Sequence, residues 1–243
     1  MMPELEWWQW ALGATCAFCV GVAKTGVPGL GILVVPMMVL IVGDARKSAG
    51  WLLPILCFAD LFAVFYYRRH AAASKLFSLI PSVLIGMAAG AMTLSLPEGK
   101  IRPLIGVIVL VMLVAYLWRK RYPNALAVAD HGAPYGVVAG FSTTVANAAG
   151  PAMSLYLLSK KLTKEEFVAT GAWFFFVVNL TKVPIYVWHG LFSRTSLTVD
   201  LMLAPAVMCG ALGGRWALSR ISSGTFEFLV LFLTAASALL MFR

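Results

Sequence analysis

The sequence predicts an all-α membrane protein, a polytopic helical bundle with two inverted repeats, each of which starts with a broken or re-entrant helix pair. Of the 243 residues, 61% are hydrophobic and only 12% are charged, whereas a soluble domain carries about 25% charged residues. Apolar stretches recur at lengths close to the roughly 20 residues that a membrane helix needs. A pattern of glycines, prolines and polar residues also occurs twice, which predicts the two repeats.

The first half of the chain contains five apolar segments. They are Trp7–Ala23, Gly29–Gly43, Ser48–Tyr67, Leu76–Pro97 and Pro103–Trp118. The first begins with Trp7, Trp8 and Trp10, and tryptophan is typical of the membrane–water interface. The third is interrupted only by Asp60. We predict that residues 1–122 form the first membrane repeat.

A polar stretch after the fifth segment divides the chain. We predict a cytoplasmic linker over residues 123–131 and a second membrane repeat over residues 132–243, the two repeats forming one membrane unit. Gly132–Ser159 contains 28 residues without a charge. This is too long for one span and has polar residues in its middle, so it predicts two short helices around a break. The remaining segments are Phe167–Trp188, Leu197–Gly214 and Phe226–Phe242.

The two halves repeat at fixed separations. At 119 positions, Gly21 matches Gly140, Thr25 matches Thr144, Gly31 matches Gly150 and Asp60 matches Asn179; at 124 positions, Pro81, Gly86 and Gly90 match Pro205, Gly210 and Gly214. Because each half has five segments, an odd number, the two copies are expected to face opposite ways. The glycine pairs are best explained by close helix packing.

Loop charges predict the orientation. If every segment crosses, the loops on one side carry eleven Lys and Arg residues and those on the other side carry six. The positive-inside rule then places both termini outside. Re-entrant hairpins at the two breaks leave this prediction unchanged, because each replaces two crossings with none.

The first break surrounds Lys24. This lysine has no charged neighbour between Trp7 and Gly43, and a charge so deep in apolar sequence indicates function. Pro28 and several glycines predict that the helix breaks beside it. In a bilayer, broken backbone is tolerated only inside protein or along a wet cavity. A cation at such a break predicts an anion site.

The second break offers hydroxyls and an amide. We expect the tips of the two breaks to meet near the bilayer midplane and to bind one small oxyanion, whose charge Lys24 offsets while N–H groups and hydroxyls replace its water. The candidate binding residues are Lys24, Thr25, Gly26, Gly29, Gly31, Ser142, Thr143, Thr144, Asn147 and Gly150. The alternative for the serine and threonines is hydrogen bonding back to their own helix.

Further polar residues lie within apolar segments. Asp60, Asn179 and Lys182 are candidates for coupling or charge pairing: Asp60 either pairs with Lys24 or Lys182, or carries a coupling proton. The charge of Lys24 is offset either by the bound anion or by Asp60. Lys182 either takes part in this network or reaches the interface. Asp200, near a segment end, is expected to be interfacial.

Other function classes find little support. We expect no metal or cofactor, because the three histidines lie at segment ends, and no nucleic-acid partner, because the cations are scattered over short loops. The Lys24 stretch is not a P-loop, because its lysine precedes the glycines. We therefore predict that the protein is not an enzyme. An anion channel, and an intramembrane enzyme using Ser142 or a threonine, remain as alternatives.

Two stretches resemble a known family. They are Gly21–Gly31 followed by Pro36, and Gly140–Pro151. Both are similar to the signature segments of the TauE/SafE sulfite exporter family. The resemblance implies a secondary transporter of the bacterial inner membrane that exports a small anion such as sulfite or a sulfoacetate-like compound. Proton coupling and a homodimer are both compatible with it, and the sulfur comes from the resemblance alone.

Overall fold

A computed structural model of the chain describes residues 5–28, 30–93, 103, 106, 107, 110, 111, 113, 114, 117, 118, 121, 122, 132–240 and 242. The helices given by this part of the chain are α1 Trp7–Thr25, α2 Gly31–Val42, α3 Ala45–Tyr67, α4 Ala73–Phe77, α5 Ile80–Thr93, α6 Ala133–Ala146, α7 Gly150–Ser159, α8 Lys164–Trp188, α9 Arg194–Arg220 and α10 Ser223–Leu240. No strand occurs in it, so the all-α class is confirmed. The predicted site residue Gly29 and the predicted linker 123–131 lie outside the described residues.

In the described part of the chain, the helices follow the predicted segments with one exception; the fifth segment, Pro103–Trp118, lies partly outside the described residues. Both predicted breaks are present, between α1 and α2 and between α6 and α7. The fourth segment, predicted as one helix over Leu76–Pro97, is instead divided into α4 and α5 around Ser78. Pro81 explains the interruption, because it lacks the N–H that would continue the helix and is tolerated in a first turn. Residues 94–97 of that segment are outside the described part.

Local signals fix the turn between α2 and α3. Gly43 ends α2 with a left-handed φ of 76°, which glycine adopts without strain. Asp44 then caps α3, and its carboxylate accepts a hydrogen bond of 2.8 Å from the backbone N–H of Lys47. The chain therefore reverses direction within two residues.

Three of the described helices are long and apolar enough to cross a membrane. They cover Lys47–Tyr67, Lys164–Trp188 and Arg194–Arg220, while shorter apolar helices include Ile80–Thr93 and Ser223–Ala236. A helix of about 20 residues spans the hydrocarbon core. The chain is therefore a multi-pass membrane protein.

The chain divides into two compact units. Unit 1 comprises Met1–Ala71 and Lys164–Ser222, and unit 2 comprises Ala72–Thr163 and Ser223–Arg243. Each unit therefore combines helices from both halves of the sequence. Unit 1 contains α1, α2, α3, α8 and α9, and its apolar core lies between α1, α2, α3 and α9.

Glycines bring helix backbones into contact in each unit. In unit 1, α1 and α9 run parallel, because Gly13 lies beside Leu203 and Gly26 lies directly against the backbone of Gly214. In unit 2, Gly140 of α6 lies directly against the carbonyl of Val83 in α5. Small residues allow this close approach, so both helix pairs are held at backbone distance.

Candidate functional site

The first break lies beside the last turns of α1. The side-chain amide of Gln9 donates to the carbonyl of Ile41 at 2.8 Å, so α1 and α2 are antiparallel neighbours. At the other end of α2, a Cβ added to Gly31 would lie 3.8 Å from Cβ of Ala23. The first residue of α2 therefore lies beside the turn of α1 that carries Lys24.

Lys24 forms a buried ion pair with Asp60. Its Nζ lies 2.7 Å from Oδ1 of Asp60, and the two side chains are 10% and 0% exposed. The amide of Asn179 donates to Oδ2 of Asp60 at 2.6 Å. Helices α1, α3 and α8 each contribute one of these residues. Of the two ways to offset Lys24, the structure thus contains the pairing with Asp60.

Two more residues of α8 surround this ion pair. The Nζ of Lys24 lies 3.9 Å from the ring centroid of Phe175, a cation–π distance. Lys182 is fully buried, so the interpretation that it reaches the interface is wrong. Its helix packs against α3, which turns the lysine toward the protein interior, and its Nζ lies 5.8 Å from the ring centroid of Tyr186.

Thr25 serves the α1–α9 contact. Its hydroxyl donates toward the carbonyls of Gly21 at 3.0 Å and Ala211 at 2.7 Å. The hydroxyl of Tyr67 in turn donates to the carbonyl of Thr25 at 2.9 Å. The end of α1 is therefore held by α9 on one side and by the last residue of α3 on the other.

The hydroxyls of the second break point back to their own helix. In unit 2, Ser142 donates to the carbonyl of Val138 at 2.6 Å, and Thr144 donates to that of Gly140 at 2.9 Å. The alternative weighed for these residues, hydrogen bonding within the helix, is therefore what the structure contains. Thr143 is also buried. Asn147 ends α6 with a left-handed φ of 51°, which asparagine tolerates better than most residues.

Two predicted glycines begin the second helix of each break. Gly31 starts α2 and Gly150 starts α7. The first N–H groups of a helix have no partner within it. A Cβ at Gly150 would meet no atom within 4 Å, so the start of α7 has space around it.

The structure brings the charged candidates together in unit 1. Lys24, Asp60 and Asn179 are in direct contact, and Lys182 lies on the same face of α8 as Asn179. The second tip belongs to unit 2, so its meeting with the first stays a prediction. Sequence reasoning missed Phe175, although its spacing of four residues before Asn179 places it on that face.

Asp200, expected from the sequence to be interfacial, is buried among the helices of unit 1, and its depth in the membrane stays a prediction. It is 8% exposed, and in the described part of the chain neither of its carboxylate oxygens has a hydrogen-bond partner. It lies one turn before Leu203, which contacts Gly13 of α1. Helix α9 begins six residues earlier and buries Asp200 against its neighbours.

Asp200→Asn is expected to raise the unfolding temperature. A buried polar group without a partner costs about 1–3 kcal/mol, and more when it is charged. The matched variant Asp60→Asn should lower the unfolding temperature, because it removes the partner of Lys24. Thermal unfolding in detergent measures both. A lower unfolding temperature for Asp200→Asn would show that this carboxylate has a stabilising partner.

These features define a class of protein: a polytopic helical membrane protein with a buried ion pair beside a helix break. The family model described as Sulfite exporter TauE/SafE matches residues 13–241. The chain therefore belongs to the TauE/SafE sulfite exporter family, which is a family of membrane transporters. A comparison with curated proteins found no match, and a comparison with solved structures found none.

Proposed function

We propose that the protein is a secondary transporter that exports a small anion, such as sulfite or a sulfur-containing organic anion. The observation that carries the proposal is the ion pair of Lys24 and Asp60 beside the first break. A cation inside a bilayer is costly and marks substrate pathways. The family membership supplies the sulfur-bearing class of substrate.

As the sequence predicts, we propose that the anion binds at the tips of the two broken helix pairs, near the bilayer midplane. We expect Lys24 to supply charge and the free N–H groups at the start of α2 and of α7, where Pro151 contributes none, to donate to the anion. The hydroxyls of Thr25, Ser142 and Thr144 donate to backbone carbonyls in the structure. They contribute to anion binding only after rotating away from those carbonyls, so the lysine and the N–H groups are the principal ligands.

Equivalent contacts in the two units support the inverted repeat. A Cβ added to Gly214 would meet the Thr25 hydroxyl, and one added to Gly90 would come within 2.9 Å of Cβ of Thr144. These threonines and glycines are the ones that match in sequence at separations of 119 and 124. We propose that both termini lie outside the bacterial inner membrane, because an odd repeat and the loop charges of the sequence favour this orientation.

Counterflow in proteoliposomes tests this function. Vesicles loaded with unlabelled sulfite are expected to accumulate radiolabelled sulfite transiently, because a transporter exchanges substrate across the membrane. Sulfoacetate, sulfate and phosphate in the same assay define selectivity, and protein-free vesicles are the control. Movement of sulfite with no stimulation by internal sulfite would indicate a channel. Movement of none of these anions would refute the proposal.

A further inference from the structure

We propose that this transporter binds its anion by exchanging the ion pair: a proton binds to Asp60, and Lys24 leaves Asp60 to pair with the anion. The inference rests on the proposed transport of a small anion. It specifies that the substrate is a singly charged anion and that one proton binds with it.

The exchange leaves the charge of the site unchanged. In the empty site, the ammonium of Lys24 and the carboxylate of Asp60 lie 2.7 Å apart. In the loaded site, a proton from water forms an O–H bond at Asp60, and the anion takes over as partner of Lys24. Counted over Lys24, Asp60 and the anion, one positive and one negative charge are present in both states. Relative to the empty site, a dianion, or an anion bound without the proton, would add one uncompensated negative charge to a low-dielectric interior, which is costly.

Asn179 is placed to hold Asp60 in both states. Its amide donates to Oδ2, while Lys24 contacts Oδ1. When Lys24 leaves, Oδ1 can carry the proton, and Oδ2 can still accept from Asn179 because it is then the carbonyl oxygen of the acid. The exchange therefore requires no movement of Asp60.

Each helix packed against α3 presents a defined set of charged or titratable groups. From α1, Lys24 contacts Asp60; Lys182 of α8 and Cys57 of α3 itself are further titratable groups near it. Helix α2 has no titratable side chain. On α9, the guanidinium of Arg215 stacks over Tyr66, 4.5 Å from the ring centroid. The other charged or titratable residues of α9 are Arg194, Asp200, Cys209 and Arg220.

The position of Asp60 in the repeat fits a transport site. Asp60 and Asn179 are matched residues of the two halves, and they hydrogen-bond to each other. When matched residues touch, a two-fold axis that relates the halves must pass between them. Substrate sites of inverted-repeat transporters lie at the repeat interface near the midplane. The proposal therefore places the proton-binding carboxyl at the repeat interface, near the midplane.

Calorimetric titration of the purified protein with methanesulfonate tests the exchange. This sulfonate keeps a single charge across the neutral pH range, so any proton taken up belongs to the protein. Titration in two buffers of different ionisation enthalpy gives the number of protons bound. We expect the protein to take up one proton for each anion bound. At pH values where Asp60 of the unliganded protein is deprotonated, the affinity for methanesulfonate should fall about tenfold per pH unit.

Variants assign the proton. Asp60→Asn should bind methanesulfonate with no proton uptake and no pH dependence, because the amide resembles the neutral acid. Asp200→Asn, which changes the other buried carboxyl of unit 1, should still take up one proton. Binding by the wild-type protein without proton uptake, or no binding of methanesulfonate at any pH, would overturn the exchange. Sulfite counterflow judges the transport function separately.

Discussion

Lys24→Met is expected to abolish anion transport and to destabilise the protein. Methionine keeps most of the length of the side chain but removes the charge that pairs with the anion. It also leaves the carboxylate of Asp60, which is fully buried, without its partner. Breaking a buried ion pair in this way costs about 3–5 kcal/mol. Sulfite counterflow and thermal unfolding in detergent measure the two effects.

A double-variant cycle separates the two roles of Lys24. Lys24→Met combined with Asp60→Asn should recover the unfolding temperature, because neither position then leaves a charge without its partner, but should not recover transport. Lys47→Met is the control, since Lys47 is an exposed lysine in the first turn of α3; it should change neither quantity. A Lys24→Met protein with wild-type stability and undiminished sulfite transport would remove Lys24 from the site.

Gly214→Ala is expected to separate α1 from α9, whereas Gly213→Ala is not. A Cβ at Gly214 would overlap the Thr25 hydroxyl and approach the carbonyl of Val22 to 2.7 Å. Overpacking of this kind costs about 1–3 kcal/mol. At Gly213 the nearest atom to a new Cβ is Cζ of Phe18, at 3.9 Å. Alanine there should stabilise α9 by up to about 1 kcal/mol through helix propensity.

The two glycine variants are compared by thermal unfolding and by transport. Because α1 carries Lys24 one residue before Thr25, a displacement of α1 should also reduce transport in Gly214→Ala. Gly213→Ala should transport sulfite like the wild-type protein. Equal unfolding temperatures for the two variants would mean that α1 and α9 are not held at backbone distance.

The breaks and the helices were predictable because their signals are local. Clusters of glycine, proline and polar residues within apolar sequence disfavour a continuous helix, so both breaks, at 26–30 and 147–149, could be placed from the sequence. Single prolines do not have this effect here, because Pro54, Pro184 and Pro205 each lie inside a helix. The division between α4 and α5 also has a local signal in Pro81, but the apolar run around it obscured the signal. The sequence also matches Asp60 with Asn179, because they are separated by the 119 positions of the repeat.

Partner choice was not predictable because it depends on packing. Nothing in the sequence states whether Lys24 pairs with Asp60 or with an anion, or whether Asp60 pairs with Lys24 or Lys182, since α1, α3 and α8 are far apart along the chain. Because Asp200 and Lys182 both lie near a segment end, the sequence predicted a position at the membrane interface for the aspartate and offered it as one of two alternatives for the lysine. Their burial depends on which side of α8 and α9 faces the protein, and apolar residues on all sides of these helices hide that choice.

In the proposed repeat, the hydrogen bond between Asp60 and Asn179 bears on why the two halves are joined in one chain. Two separate copies of one half, assembled as a homodimer, would place identical residues at this contact. They would offer either two carboxylates, each chain then also bringing its own lysine, or two amides, which carry no charge. A joined chain can mutate one copy alone and keep one of each. Under the proposed repeat, one chain can therefore hold a single carboxylate and a single lysine at this contact, which a homodimer of identical halves cannot provide.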